Sequence, residues 1–92
     1  MLVHLPPKAR FASGKAVHVQ FDGGAQDGVG MGGFVILDGD RKELVRAGCY
    51  YGLGRTNNEA ESFAMRDAVR CLQSLVDSRP DLQLPVRIFG NS

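Results

Sequence analysis

The chain has 92 residues, 43% of them hydrophobic and 23% charged, with a formal net charge of +1. A chain of this size buries somewhat over ~60 % of its unfolded surface, which supports one hydrophobic core and not two. The composition excludes disordered and fibrous classes, and the balanced charge neither indicates nor excludes a nucleic-acid partner, because a local patch counts for more than the sum.

Residues 1–15 carry Lys8, Arg10 and Lys15 with no acid, together with Pro6-Pro7 and Ser13-Gly14. They read as a basic extended lead, either solvated or touching a phosphate backbone, ahead of a domain over residues 16–92. No apolar run approaches the ~18 residues needed to span a bilayer, and no signal-peptide hydrophobic region is present, so no membrane partner is expected. Cys49 and Cys71 belong to no paired-cysteine or clustered-histidine motif and are expected in the core, in an intracellular setting, cytoplasmic or, in a eukaryote, nuclear.

The run Val17-His18-Val19-Gln20-Phe21-Asp22 alternates with a period of two. Val17, Val19 and Phe21 share one face of a strand, while His18, Gln20 and Asp22 share the other. Asp22 is either a site residue at the tip of that strand or the start of a turn, since Asp-Gly is a common turn dipeptide. Six glycines follow, at 23, 24, 28, 30, 32 and 33, and predict an irregular loop, either a plain hairpin connection or one whose bare backbone N–H groups approach a ligand. The spacing of Gly28, Gly30 and Gly33 is not a dinucleotide fingerprint, because a strand follows it rather than a helix. Residues 33–37 and 43–50 read as second and third strands joined by a tight turn at Asp38-Gly39-Asp40, giving a three-stranded meander.

Residues 58–76 form the one convincing helix. At about 100° per residue, Ala60, Ala64, Ala68, Cys71, Leu72, Leu75, Met65, Val69 and Val76 fall within half the circumference, and Phe63 is the apolar exception on the polar half. Glu61 lands in the middle of the apolar arc. A capping box with Asn58 as N-cap is one explanation. The other is that the carboxylate is aimed at the sheet, where it requires a cation or metal. Beyond a break at Pro80, Val86, Arg87, Ile88 and Phe89 form a short fourth strand after Pro85, expected to run parallel to a neighbour through a right-handed crossover. Asp22 and Glu61 then converge on one sheet, and paired hard oxygen ligands point to Mg²⁺ or Mn²⁺.

The ordered set Phe21-Asp22-Gly23-Gly24, Thr56-Asn57-Asn58-Glu59-Ala60-Glu61 and Ile88-Phe89-Gly90-Asn91-Ser92 resembles successive motifs of the type I ribonuclease H domain over residues 17–92. The resemblance implies an α/β fold with a mixed sheet, in which three antiparallel strands are followed by a helix and a parallel fourth strand. It also implies metal-dependent endonucleolytic hydrolysis of the RNA strand of an RNA/DNA hybrid, with two divalent ions in the complete site. Asp22 would bridge both metals and Glu61 would bind one of them. Asn57 and Asn58 would contact the hybrid in its minor groove, and Gly23 and Gly24 would let backbone N–H groups reach the same strand. His4 and His18 match nothing catalytic and read as structural.

Two departures from the family pattern matter. Asn91 stands where the third catalytic aspartate belongs, keeping a carbonyl oxygen but losing the charge. The family also continues through a fifth strand, further helices, a fourth acid and a mobile histidine, so the C-terminal part of the domain is expected to be missing. On this reading hydrolysis is absent or impaired, with a non-catalytic nucleic-acid-binding or interaction module of the same fold as the alternative. The exposed edge at Val86 to Phe89 is expected to pair with a second copy or a missing C-terminal segment.

Overall fold

The computed structural model describes residues 16–82 and 85–90. The proposed lead at 1–15, with His4, and the position of Asn91 lie outside the described residues. Strands β1 (Val17–Gln26), β2 (Val29–Leu37) and β3 (Glu43–Leu53) are followed by helix α1 (Asn57–Ser78), a 3-10 turn at Pro80–Leu82 and strand β4 (Val86–Gly90). The sheet order is β3-β2-β1-β4. β1 is antiparallel to β2 and parallel to β4, and β2 is antiparallel to β3. This is the mixed α/β sheet expected from the sequence.

The alternation in β1 sets the two faces. Val17, Val19 and Phe21 are buried, while Gln20 and Asp22 are exposed. Phe34 and Ile36 of β2 and Val86 and Ile88 of β4 join the buried face, and α1 covers it with Ala60, Ala64, Ala68 and Leu72. Three alanines in an i, i+4 stripe leave little bulk between helix and sheet, so the backbones approach closely. The buried stripe is narrower than the apolar arc read from the sequence, and Val69 at its margin is 39% exposed. Cys49 and Cys71, expected in the core, are free thiols that are partly buried and pack against it. Among the described residues no helix is long and apolar enough to cross a membrane.

The glycine-rich segment is not a loop. β1 and β2 pair without interruption from His18↔Leu37 to Gln26↔Val29, and only Asp27 and Gly28 form the turn. Both have positive φ, 54° and 76°, the combination that matches the twist of a two-residue hairpin. Glycines interrupt side-chain packing but not the ladder, because strand hydrogen bonds come from the backbone. The reading of Asp22 as a turn residue falls with the loop, since the chain reverses five residues later. The predicted start of β2 at 33 and end of β3 at 50 move outwards for the same reason.

The tight turn at residues 38–40 extends to Lys42, whose carbonyl accepts from Asp38 N–H at 2.9 Å. Asp38 Oδ1 accepts from the backbone N–H groups of Asp40 (2.8 Å) and Lys42 (2.9 Å).

The helix cap also differs from the one weighed above. Thr56, not Asn58, is the N-cap: its hydroxyl accepts from Glu59 N–H at 3.1 Å, and Glu59 Oε1 accepts from Thr56 N–H at 3.0 Å. A box of this kind contributes about 1 kcal/mol. Glu59 therefore fills the role considered for Glu61.

Phe63 is not stranded on a polar face. Its ring lies 5.3 Å from that of Tyr51, with the guanidinium groups of Arg55 and Arg66 at 5.0 and 4.9 Å from its centroid. The Tyr51 hydroxyl donates to Asp67 Oδ2 at 2.8 Å, and Arg66 Nε donates to Oδ1 at 3.2 Å. Burial, reinforced by hydrogen bonds to Cys49 and Asp67, pushes the Tyr51 phenol up. Burial also pushes Asp67 up, but the Tyr51 and Arg66 hydrogen bonds and the Arg66 and Arg70 charges outweigh it and hold the carboxyl below its usual range. Asp38 is held low first by the Lys42 N–H, with help from Asp40 N–H and the Lys42 and Arg79 charges, against opposing desolvation. A carboxyl depressed in the folded state stabilises the fold above its unfolded pKa, and that contribution is lost as pH falls through the folded value. Urea midpoints are therefore expected to fall steeply below about pH 4 as these carboxyls protonate, with a shallower acid limb in Asp67→Asn.

Candidate functional site

Asp22 projects from the face of the sheet that α1 does not cover, and Glu61 descends from α1 on the other side. They do not approach through the sheet but around one point of it. Phe21, the residue before Asp22, pairs with Gly90 at the end of β4. A Cβ at Gly90 would stand 3.4 Å from Glu61 Oε1 and 2.8 Å from the edge of the Phe21 ring. The Glu61 carboxylate thus lies beside the C-terminal end of β4, one residue from Asp22 in the pairing, and the chain passes from there to Asn91. A side chain at 90 would have to displace the Phe21 ring, while Glu61 lies at contact distance.

Neither carboxylate has a hydrogen bond or ion pair among the described residues. The arginine nearest in the register, Arg46, is held by Glu43 at 2.7 Å. Two hard-oxygen donors uncompensated by a protein cation fit a magnesium-type ion, which takes one or two carboxylates and keeps several waters. No group of three or more His, Cys, Asp or Glu side chains that could hold a metal occurs among the described residues.

Asp22 borders two shallow grooves. One, of about 460 Å³, is lined by Asp22, Gly23, Gly24, Met31, Gly32 and Asn57 among others. The other, of about 560 Å³, runs past Gln20, Asp22, Gly33, Val35, Arg46 and Phe89. Asn57 Oδ1 accepts from Ala25 N–H at 2.7 Å, which ties the start of α1 to β1 and leaves its amide nitrogen without a partner among the described residues. Asn58 is exposed on the first turn of α1. Gly24 borders Asn57, with a Cβ position 3.5 Å from Oδ1. Gly23 does something else: a Cβ there would sit 2.3 Å from the Ala60 carbonyl oxygen and 2.6 Å from Glu61 N, so this glycine faces the helix backbone and admits it.

His18 lies on the open face and stacks on Phe89, with ring centroids 6.1 Å apart and planes 13° from parallel. Burial first, then the charges of Arg41 and Arg87, lower its pKa and favour the neutral ring. The groove residues Met31 and Arg46, and Tyr50 paired with Met31, carried no motif in the sequence. Their only signal was position, since alternation places them on the same face as Asp22.

No protein-family model and no curated protein matches the chain. Solved structures do. LC11-RNase H1, isolated from compost by a metagenomic approach, aligns at 30% identity with a TM-score of 0.72, covering 85% of this chain and 55% of that one. LC11-RNase H1 in complex with an RNA/DNA hybrid aligns at 31% identity and TM-score 0.71, covering 83% and 54%. RNase H1 from the halophilic archaeon Halobacterium salinarum NRC-1 aligns at 29% identity and TM-score 0.60, covering 65% and 46%. The chain spans about half the length of the solved structures it matches. The fold is of the ribonuclease H type.

Proposed function

We propose that this chain carries the metal-binding and hybrid-binding part of a ribonuclease H site, with Asp22 and Glu61 holding Mg²⁺ or Mn²⁺ and Asn91 in the third ligand position. The observation that carries this reading is the pair of uncompensated carboxylates at the Phe21–Gly90 pairing, on a fold of the ribonuclease H type. Bound divalent ions would supply an activated water on one side of a phosphodiester and charge stabilisation for the leaving oxygen on the other. The chain's own residues hold and orient. Asn57, pinned through its oxygen to Ala25, presents its amide N–H groups beside Gly24, and Asn58 flanks it. Donors so placed suit the minor groove of a hybrid, where 2′-hydroxyls distinguish RNA from DNA. Asn91 offers a neutral oxygen where a charged one would strengthen the metal site, so hydrolysis by this chain is weak or absent while binding persists.

The test is a labelled RNA/DNA hybrid titrated with the chain in Mg²⁺ and in Mn²⁺. Expected are salt-dependent binding, a preference for hybrid over DNA duplex, and little cleavage. Equal affinity for both duplexes, or no binding at all, would overturn the reading. The outer edge of β4 is proposed as a pairing edge for another chain, and a strictly monomeric sedimentation profile with an ordered β4 would remove that part.

A further inference from the structure

The register of the sheet builds a feature beside Asp22 that no motif announced. Across the open face, Asp22 pairs with Gly33 and Gly33 with Gly48, so the row through Asp22 carries no side chain on β2 or β3. A Cβ at Gly48 would meet nothing within 4 Å. The adjacent row is Gly24, Met31 and Tyr50, again paired in register. Met31 is 50% exposed and Tyr50 68% exposed, while Gly32 and Tyr51 beside them turn towards α1. Leu53, 75% exposed, continues the patch along β3. The result is a bare trough leading across the sheet to Asp22, with an apolar and aromatic ledge along one side. Met31 also lines the groove that holds Asp22 and Asn57, so ledge and candidate site are one continuous surface.

We infer that Tyr50 and Met31 form an apolar ledge against the sugars of the nucleic-acid strand that passes Asp22. The inference rests on the function proposed above and adds a sequence-independent contact outside the residues assigned there. Two features favour a nucleic acid over a polypeptide. The three exposed side chains present roughly 400 Å², about half of the ~800 Å² per partner that a stable protein interface buries. Their position beside a glycine-floored channel suits apolar contact with the sugars along one strand of a duplex, which is recognised through its sugars, phosphates and shape because its bases are already stacked.

The experiment is an anisotropy titration of a labelled RNA/DNA hybrid with the full chain and with Tyr50→Ala, Tyr50→Phe and Met31→Ala, each checked by thermal melting. Loss of the ring is expected to weaken binding about tenfold without changing its salt dependence, as the apolar area it covers is lost, and Tyr50→Phe to stay within about twofold of the parent. The chain has no tryptophan, so Tyr50→Trp provides a single tryptophan whose emission is expected to shift on binding the hybrid. Unaltered affinity in both Tyr50→Ala and Met31→Ala, with the parent binding normally, overturns the ledge and leaves the proposed function standing. Failure of the parent to bind, with an unmoved tryptophan signal, overturns both. Self-association lost in Tyr50→Ala at unchanged hybrid affinity makes the patch a protein contact and overturns the inference.

Discussion

Gly23→Ala is expected to cost about 3 kcal/mol, at the upper end of what overpacking does. The atoms in its way are not side-chain ends that can swing aside. They are the carbonyl oxygen and carbon of Ala60 and the amide nitrogen of Glu61, at 2.3, 2.5 and 2.6 Å from the Cβ position. Relief requires α1 to lift from β1, and the alanine stripe that seats it, Ala60, Ala64 and Ala68, loses contact with the sheet as it does so. For a domain of this size the loss corresponds to a fall in Tm of roughly 15 °C. Because the clash is at Glu61 itself, divalent-cation affinity should fall in the same variant. A melting curve superimposable on that of the parent would show that the helix start yields at little cost.

Asp22→Asn is expected to weaken Mn²⁺ binding by at least tenfold while leaving the melting temperature nearly unchanged. One charge at ~4 Å from a divalent ion is nominally worth about 8 kcal/mol at an effective dielectric of 20, and a third of that after desolvation and screening still exceeds a factor of ten. The fold should be indifferent, because Asp22 is exposed and forms no hydrogen bond or ion pair among the described residues, and surface changes of this kind stay within about 0.5 kcal/mol. Asn91→Asp is expected to shift the affinity the other way, by a comparable factor. Isothermal titration with Mn²⁺ reads both. A large drop in stability for Asp22→Asn with unaltered metal affinity would assign this carboxylate to the fold rather than to a site.

These expectations depend on elements that differ in how far they could be read from the chain. The alternation of Val17, Val19 and Phe21 against His18, Gln20 and Asp22, and the helical period from Ala60 to Leu72, are local patterns. They reflect backbone geometry that any burial must respect. They were sufficient for the element order, the face on which Asp22 stands and the parallel return of the fourth strand. The glycine-rich stretch was not legible in this way. Its residues are strand because Gly23 meets the backbone of α1 and Gly32 the Ala64 side chain, contacts between segments far apart in sequence. Propensity cannot register a requirement for the absence of a side chain.

The same distinction runs through the site. Glu61 was conspicuous in the sequence as an acid on an apolar arc, and that placement follows from helical geometry alone. The tertiary structure gives the capping box to Thr56 and Glu59 and seats the Glu61 carboxylate beside Gly90. The pairing of Phe63 with Tyr51, and the ledge of Met31 and Tyr50, likewise come from strand register and helix docking. Local periodicity, a property of single segments, determined which residues face the core and which face outward. Only the tertiary structure decided which of the outward residues lie next to one another, because register and helix seating are set by packing between segments.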